Sequence, residues 1–477
     1  MSTRRTLATA MVTAALSLGV AAPAGAVLIP DPGRPAPERT EVQRPGSPEP
    51  TPTPRTLQDV VDVEGVLDHL EAFQSIAERH DGTRAAGTDG HAAAGAYVEA
   101  RLRSAGYQTW RHSFPFTYEE TRSSSLTVTV EQTTTPVDQV PMAQSPGTDG
   151  VVSGALAVPR GSTTGCEVED WGDDAVTGRV ALVDRGDCTF ADKARAAHDA
   201  GAVALVVANT TAGSFVGALG GHPADHLPTV GVTRETGDAL RRAPSSATLT
   251  LSLDKVVEER ETFTVLAERR GARADGVVML GAHLDGPDTG PGLNDNATGS
   301  AVLLETAVRL ATTAETPRSV RFAWWGASHL GNLGSRGYVA DLVAENPEDL
   351  DRIDLYLDVD AVGSPNHVIA VQDPGGAGSV LADHLDARGQ AWVRTTPPAD
   401  SDAVAFLERG IPATGLSTGT SGSKSIAERE VFGGTAGLPY DPNNDTVGDV
   451  LGNVDVEVLR TTTAAVAHAT QALASRR

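Results

Sequence analysis

Apolar positions along the chain change their spacing from one region to the next. In VEGVLDHLEAFQSIAERH they recur at Val66, Leu67, Leu70 and Phe73, the period of an amphipathic helix. The loop GTRAAGTDG follows, and HAAAGAYVEARLRSAGY then reads as a second helix stopped by Gly106. Ser124 to Glu131 alternates Thr with Val and predicts a strand. From about Thr134 to Leu253 the apolar runs shorten and glycine becomes frequent. There, GRVALVDRGDCTFADKARAAHDAGAVALVVANT reads strand, loop, helix, strand, and HLPTVGVTRETGDALRRA adds a strand and a helix, as in an inserted domain. From Thr262 onward FTVLAE, VVMLGAH, SVRFAWWG, LYLDVDAV and HVIAVQ predict strands. Among them lies ATGSAVLLETAVRLATT, with Leu303, Ala307 and Leu310 on one helical face. The closing segment, VDVEVLRTTTAAVAHATQAL, predicts a helix. Strands alternating with helices predict an α/β fold with a largely parallel sheet covered on both faces. Internal repeats are not evident.

The N-terminal pattern differs. Arg4 and Arg5 precede an apolar run that ends at Ala24-Gly25-Ala26, which predicts a secretory signal cleaved after Ala26 and leaves a twin-arginine route open. The proline-dense PDPGRPAPERTEVQRPGSPEPTPTPR predicts an extended linker. The expected organisation is a signal over 1–26, a linker over 27–56, a first domain segment over 57–133, an insertion over 134–253 and a second segment over 254–477. With 477 residues, 40% hydrophobic, the chain can bury a large core in more than one domain. A formal net charge of -24 argues against nucleic acid or an anionic membrane as partner. No later run is long and apolar enough to be a transmembrane segment. The protein is therefore expected to be secreted. Cys166 and Cys188 suggest one disulfide in an exported chain, with two buried thiols as the alternative.

Chemistry is expected where strands end, because open α/β sheets gather functional groups beyond their carboxyl edges. VVMLGAHLDG brings His283 and Asp285 there, SVRFAWWGASH brings Ser328 and His329, and LYLDVDAVGSPN brings Asp360. GPGLNDNATG adds Asp295 at a helix N-terminus. His283, Asp295 and Asp360 suit a zinc site with nitrogen and oxygen ligands and room for water. Asp285, two residues after His283, is placed to orient the imidazole. Taken singly, His283 reads equally as a turn histidine and Asp295 as a helix cap.

Together, GAHLDGPDTGPGLNDNATGSAVLLE, FAWWGASHLGNLGSRGY and DVDAVGSPN resemble the exported co-catalytic di-zinc aminopeptidases, and the segment around GRVALVDRGDCTF resembles their inserted protease-associated (PA) domain. GTRAAGTDG, SDAVAFLERGIPATGLSTG and GGTAGLPYDP match as well, so the likeness runs from about Leu57 to the last helix. The resemblance implies a zinc-exopeptidase-like α/β fold. It has an eight-stranded mixed sheet flanked by helices, with an inserted β-rich PA domain that holds a Cys166–Cys188 disulfide. It also implies metal-assisted removal of N-terminal residues from peptides or protein N-termini, with one zinc on His283, the bridging Asp295 and Asp360.

The other half of the pattern departs. After W-W-G-A the family carries a Glu-Glu pair, the first residue a general base and the second a metal ligand, where this chain has Ser328 and His329. Serine cannot take a proton from water at neutral pH without an activating partner. His329 reads either as a replacement zinc ligand or as a turn histidine. The family's late histidine lies between P-Y-D-P and D-T, and LPYDPNNDTVGD lacks that segment, leaving Asp441, Asn443 or Asp445 as substitutes. Asp358 stands where relatives usually have Asn. One zinc is thus expected, a second lacks its family ligands, and activity should be weak or altered. The competing expectation is a catalytically dead pseudopeptidase that binds peptides or proteins. A hydrolase using Ser328 as nucleophile fits less well, since no His/Asp partner pattern surrounds it.

Overall fold

Val277–His283 is buried along its whole length, as a strand covered on both faces must be. Alternation sends Val278, Leu280 and Ala282 into one core with Val66, Leu70, Phe73 and Leu303. Met279 points the other way, into a second core with Trp325, Tyr338, Tyr356 and Phe406. The first core is roofed by helices Val63–Arg79, Asp89–Ser104, Gly299–Leu310 and Val456–Ala474, and the second by Leu333–Glu345 and Ala403–Leu407. This is a computed structural model, and it describes residues 56–476 except 161, 173–175, 216, 221–225, 274–275 and 314. The signal expected over 1–26 and nearly all of the linker over 27–56 lie outside the described residues.

Across the larger half of the sheet the strands run Val393–Thr395, Ala370–Gln372, Ala413–Ser417, Ile353–Asp360, Val277–His283, Ser319–Trp325, Thr248–Arg269 and Thr109–Val130. The four from Ala413–Ser417 to Ser319–Trp325 are mutually parallel, whereas Ala370–Gln372, Thr248–Arg269 and Thr109–Val130 join antiparallel to their neighbours. The sheet is therefore mixed. Alternation of elements pointed to a largely parallel sheet because it carries no information about the edges.

The sequence patterns around Ser124 and FTVLAE are parts of two 22-residue strands, Thr109–Val130 and Thr248–Arg269, paired from Thr109↔Ala267 to Thr129↔Thr248. Their polar middles, EETRSSS and DKVVEERE, hide this continuity in the sequence. The far half of the ribbon carries the sheet of the inserted domain, in which Val152–Ala157, Val180–Asp184, Ala204–Ala208 and Thr229–Val232 follow one another outward from Thr248–Arg269. Helices Phe190–Asp199 and Arg234–Arg241 pack there. Cys166 and Cys188 form a disulfide with a Cα–Cα distance of 6.0 Å, so they are not free thiols. No helix among the described residues is long and apolar enough to cross a membrane.

Candidate metal centre

Parallel strands Val277–His283, Ser319–Trp325 and Ile353–Asp360 end at one edge of the sheet, and their last residues carry the candidate site. His283 Nε2 lies 3.2 Å from Asp295 Oδ1 and 3.4 Å from Asp360 Oδ1. Its Nδ1 donates to the backbone carbonyl of Asp285 at 3.0 Å, which leaves Nε2 facing the carboxylates. Burial alone would lower the His283 pKa, but the facing carboxylates of Asp295 and Asp360 outweigh it and hold the imidazole well above its ordinary value. Asp295 is buried, yet it is held below the usual carboxylate range by His283 and by positive charge from His329 and Arg84. Asp360 Oδ1 has no hydrogen-bond donor. One imidazole and two carboxylates converging around an orphaned oxygen form a donor set that fits zinc.

Asp285 orients the ring, but not as its spacing suggested. Its backbone carbonyl holds the imidazole, while its carboxylate stands 4.0 Å from Nδ1. That fully buried carboxylate instead accepts from the backbone N–H groups of Ser328 at 3.1 Å and His329 at 3.2 Å. Asp285 thereby fixes the turn after Ser319–Trp325 to the His283 loop. The Ser328 hydroxyl donates to Asp402 at 2.8 Å, and burial pushes the Asp402 carboxyl up to about 6 despite the charge of His283. The His329 ring stands perpendicular to the His283 ring, with centroids 5.1 Å apart. Donor atoms of His283, Asp295 and His329 all lie within 4.8 Å of one another.

Three further residues support the site: Arg84 and Asp449, which the sequence did not mark, and Asp358, which it singled out as a departure from the family's Asn. Arg84, fully buried, donates through Nε to the Pro291 carbonyl at 3.1 Å, through Nη2 to that of Gly292 at 2.8 Å and through Nη1 to that of Leu284. Burial lowers its pKa to about 10, while Asp285, Asp449 and Asp295 favour the charge. Asp449 accepts from the N–H groups of Asn294 at 2.8 Å and Asp295 at 3.1 Å, and burial pushes its pKa up to about 7. Asp358 sits beneath Asp360, accepts from Tyr356 at 2.9 Å and Ser401 at 2.7 Å, and is pushed up to about 8 by burial and by Asp402 and Asp360. Arg84 lies in the GTRAAGTDG loop, but nothing local marks its partners, which are some 200 residues away.

Outside the candidate ligands opens a cleft of about 1680 Å³, lined by Asp285, Asp288, His329 and Asp445 at the strand ends and also by Glu119 and Met142. Lys255 Nζ pairs with Glu119 at 2.7 Å and donates to the Met142 carbonyl at 2.9 Å, fastening the Met142 segment to the long ribbon.

Comparison with known proteins places this geometry. The model of Peptidase family M28 matches residues 264–470, and that of the PA domain matches residues 152–240. A probable lipoprotein aminopeptidase of Mycobacterium tuberculosis is 34% identical, the match covering 87% of this chain and 85% of that one. An aminopeptidase of Pseudomonas aeruginosa is 35% identical over 90% of this chain and 86% of its own. Among solved structures, an aminopeptidase from Aneurinibacillus sp. strain AM-1 shares the fold with a TM-score of 0.70 and 24% identity, covering 88% of this chain and 95% of that one. A zinc aminopeptidase of Bacillus subtilis does so with a TM-score of 0.63 and 21% identity, over 87% and 96%. The chain belongs to peptidase family M28, with a PA domain inserted into the peptidase fold.

Proposed function

We propose that the protein is an exported aminopeptidase homologue that binds zinc through His283, Asp295 and Asp360 and removes N-terminal residues from peptides, slowly or with altered preference. The observation that carries this reading is the convergence of His283 Nε2 on Asp295 and Asp360, at 3.2 and 3.4 Å, beside an open cleft. Zinc held there would polarise a scissile carbonyl and make a bound water more acidic.

The chain's own groups prepare that chemistry. The Asp285 carbonyl fixes the ring of His283, Arg84 holds the carbonyls of the loop before Asp295, and Asp449 holds the backbone of Asp295 itself. Asp288 and Asp445 place carboxylates in the cleft, where a substrate ammonium would sit favourably. Ser328, at the family's base position, donates its hydroxyl to Asp402 and offers no basic atom to a water. A positioned general base contributes roughly 10²–10⁴-fold. Turnover should fall below family level by that order. The same hydroxyl is engaged by a carboxylate and not an imidazole, which speaks against a serine nucleophile.

Residues 1–26 would serve as the export signal and 27–56 as a tether, with the PA domain over 134–253 set between peptidase segments 57–133 and 254–477. Secretion is supported by the disulfide and by a relative named as a lipoprotein. The alternative of a pseudopeptidase that only binds peptides draws on the captured Ser328 hydroxyl.

The test is zinc content together with hydrolysis of a leucyl chromogenic amide and its N-acetylated form. Bound zinc, slow release from the free-amine substrate alone, and loss of both in His283→Ala are expected. Bound zinc without release would support the binding module, and absence of zinc uptake would defeat the metal reading altogether.

A further inference from the structure

We propose that the Cys166–Cys188 disulfide is a thiol-exchange site for low-molecular-weight thiols, with Lys193 as the positioning residue that makes Cys166 the leaving sulfur. The site lies in the PA region and stands apart from the metal reading.

Helix Phe190–Asp199 buries one face, and Lys193 shares it with Ala194 and Ala197. A lysine with no exposed surface is rare, because its charge needs a partner. Here Nζ donates to the Thr164 carbonyl at 2.8 Å and to Cys166 Sγ at 3.7 Å. Burial draws the Lys193 pKa down, and Asp187, Asp184, Asp170 and Asp192 work against it. Each of those carboxylates is engaged elsewhere. Asp187 accepts from the Thr164 hydroxyl at 3.1 Å and Asp170 from the Glu167 N–H at 3.2 Å, while Asp184 pairs with Arg241 and Asp192 with Arg195. A negative charge on Cys166 would give the buried ammonium a near partner. Among the described residues only the Cys166 sulfur receives such a donor.

The two sulfurs therefore differ as leaving groups. A neighbouring ammonium lowers a thiol's pKa, and the sulfur of lower pKa leaves more readily. Both cysteines are half-buried, which gives a small thiol access. Its thiolate attacks Cys188 Sγ and forms a new S–S bond there. The Cys166–Cys188 bond breaks, and its electron pair goes to Cys166 as a thiolate beside Lys193. Attack of that thiolate back on Cys188 expels the thiol and restores the disulfide. Attack by a second thiol on the mixed disulfide instead completes a two-electron reduction, and the two thiols leave as their own disulfide. The segment carrying Cys166 has other anchors, so the pair stays within reach when open. Trp171 is 1% exposed in the core of this region, and the Thr163 carbonyl accepts from the Asp184 N–H at 2.7 Å.

The experiment treats the folded full chain with reduced glutathione, quenches with iodoacetamide and maps both cysteines by peptide mass spectrometry. Glutathione is expected on Cys188 and the alkyl group on Cys166. In fully reduced chain at pH 7, Cys166 should be alkylated about tenfold faster than Cys188. In Lys193→Met opening should slow by at least about tenfold, and the two alkylation rates should converge. Glutathione found on Cys166, or shared equally in the wild type, would overturn the proposal. So would equal alkylation rates in the wild type, or opening of a folded Lys193→Met at the wild-type rate. A folded wild type that resists glutathione at concentrations that open the urea-unfolded chain would overturn it as well. Should Lys193→Met fail to fold, the adduct position and alkylation ratio of the wild type decide alone.

Discussion

Ser328 is the residue on which the rate should turn. Its hydroxyl is tied to Asp402 at 2.8 Å, and its backbone N–H to Asp285 at 3.1 Å, so the turn geometry survives without a carboxylate at this position. Ser328→Glu should therefore return a proton acceptor to the site without moving the turn. The new carboxylate would lie close to Asp402, whose pKa is already pushed up to about 6, and two adjacent carboxyls share a proton more readily than they both ionise. Activity on the leucyl amide should rise by about 10²–10⁴-fold in kcat, with zinc content unchanged. No gain, at full zinc occupancy, would mean that the missing base is not what limits this chain. Arg84 is the opposite case, a residue that only the folded chain explains. It serves three buried carbonyls of the His283–Asp295 loop, and each acceptor left unsatisfied costs roughly 1–3 kcal/mol. Arg84→Met should lower stability by about 3 kcal/mol or more and weaken zinc uptake with it. His283, Asp295 and Asp360 were legible in the sequence because each follows a recognisable strand or opens a helix. Arg84, Asp402 and Asp449 were not, because each acts on backbone or side-chain atoms brought near only by the fold.

Strands buried on both faces could be read from their unbroken apolar runs, and Val277–His283 and Ser319–Trp325 fall where VVMLGAH and SVRFAWWG predicted them. The two 22-residue strands could not, because solvent-facing polar residues fill their middles and only the buried ends carry a pattern. In the PA region the disulfide ties the segment before Val180–Asp184 to the turn that opens helix Phe190–Asp199, over a sequence separation of 22 residues. Closing a loop of that length restricts the unfolded chain by roughly 3 kcal/mol. Lys193 adds to the closure, because its buried Nζ donates to the Thr164 carbonyl at 2.8 Å. Replacing both cysteines by serine should lower the unfolding free energy of the PA portion by about 2–4 kcal/mol. Zinc stoichiometry should not change, since the metal loops hang from other strands. Calorimetry beside a zinc assay separates the two effects, and a drop in zinc content would show that the PA fold supports the metal loops directly.

At the scale of the whole molecule, buried carboxyls set how stability follows pH. Asp358 is pushed up to about 8 and Asp449 to about 7, mainly by burial, whereas an exposed aspartate titrates near 4. Between those values the folded chain holds protons that the unfolded chain has released. Stability therefore falls as pH rises from about 4 to 8, with a slope of up to about 1.4 kcal/mol per pH unit for each such group. Self-repulsion in a chain of net charge -24 adds a slope of the same sign, so the wild-type profile alone cannot isolate one residue. Asp358→Asn can. The amide keeps one carbonyl acceptor for either the Tyr356 or the Ser401 hydroxyl, turns its NH2 donor to the other, and carries no charge at any pH. In chelator-treated protein the variant should match or fall slightly below the wild type near pH 5, then overtake it as pH rises through 8. Denaturation midpoints at pH 5, 6.5 and 8 decide the matter. Parallel profiles would mean that Asp358 is ionised throughout, and that the cluster beneath Asp360 carries its negative charge without the help of a proton.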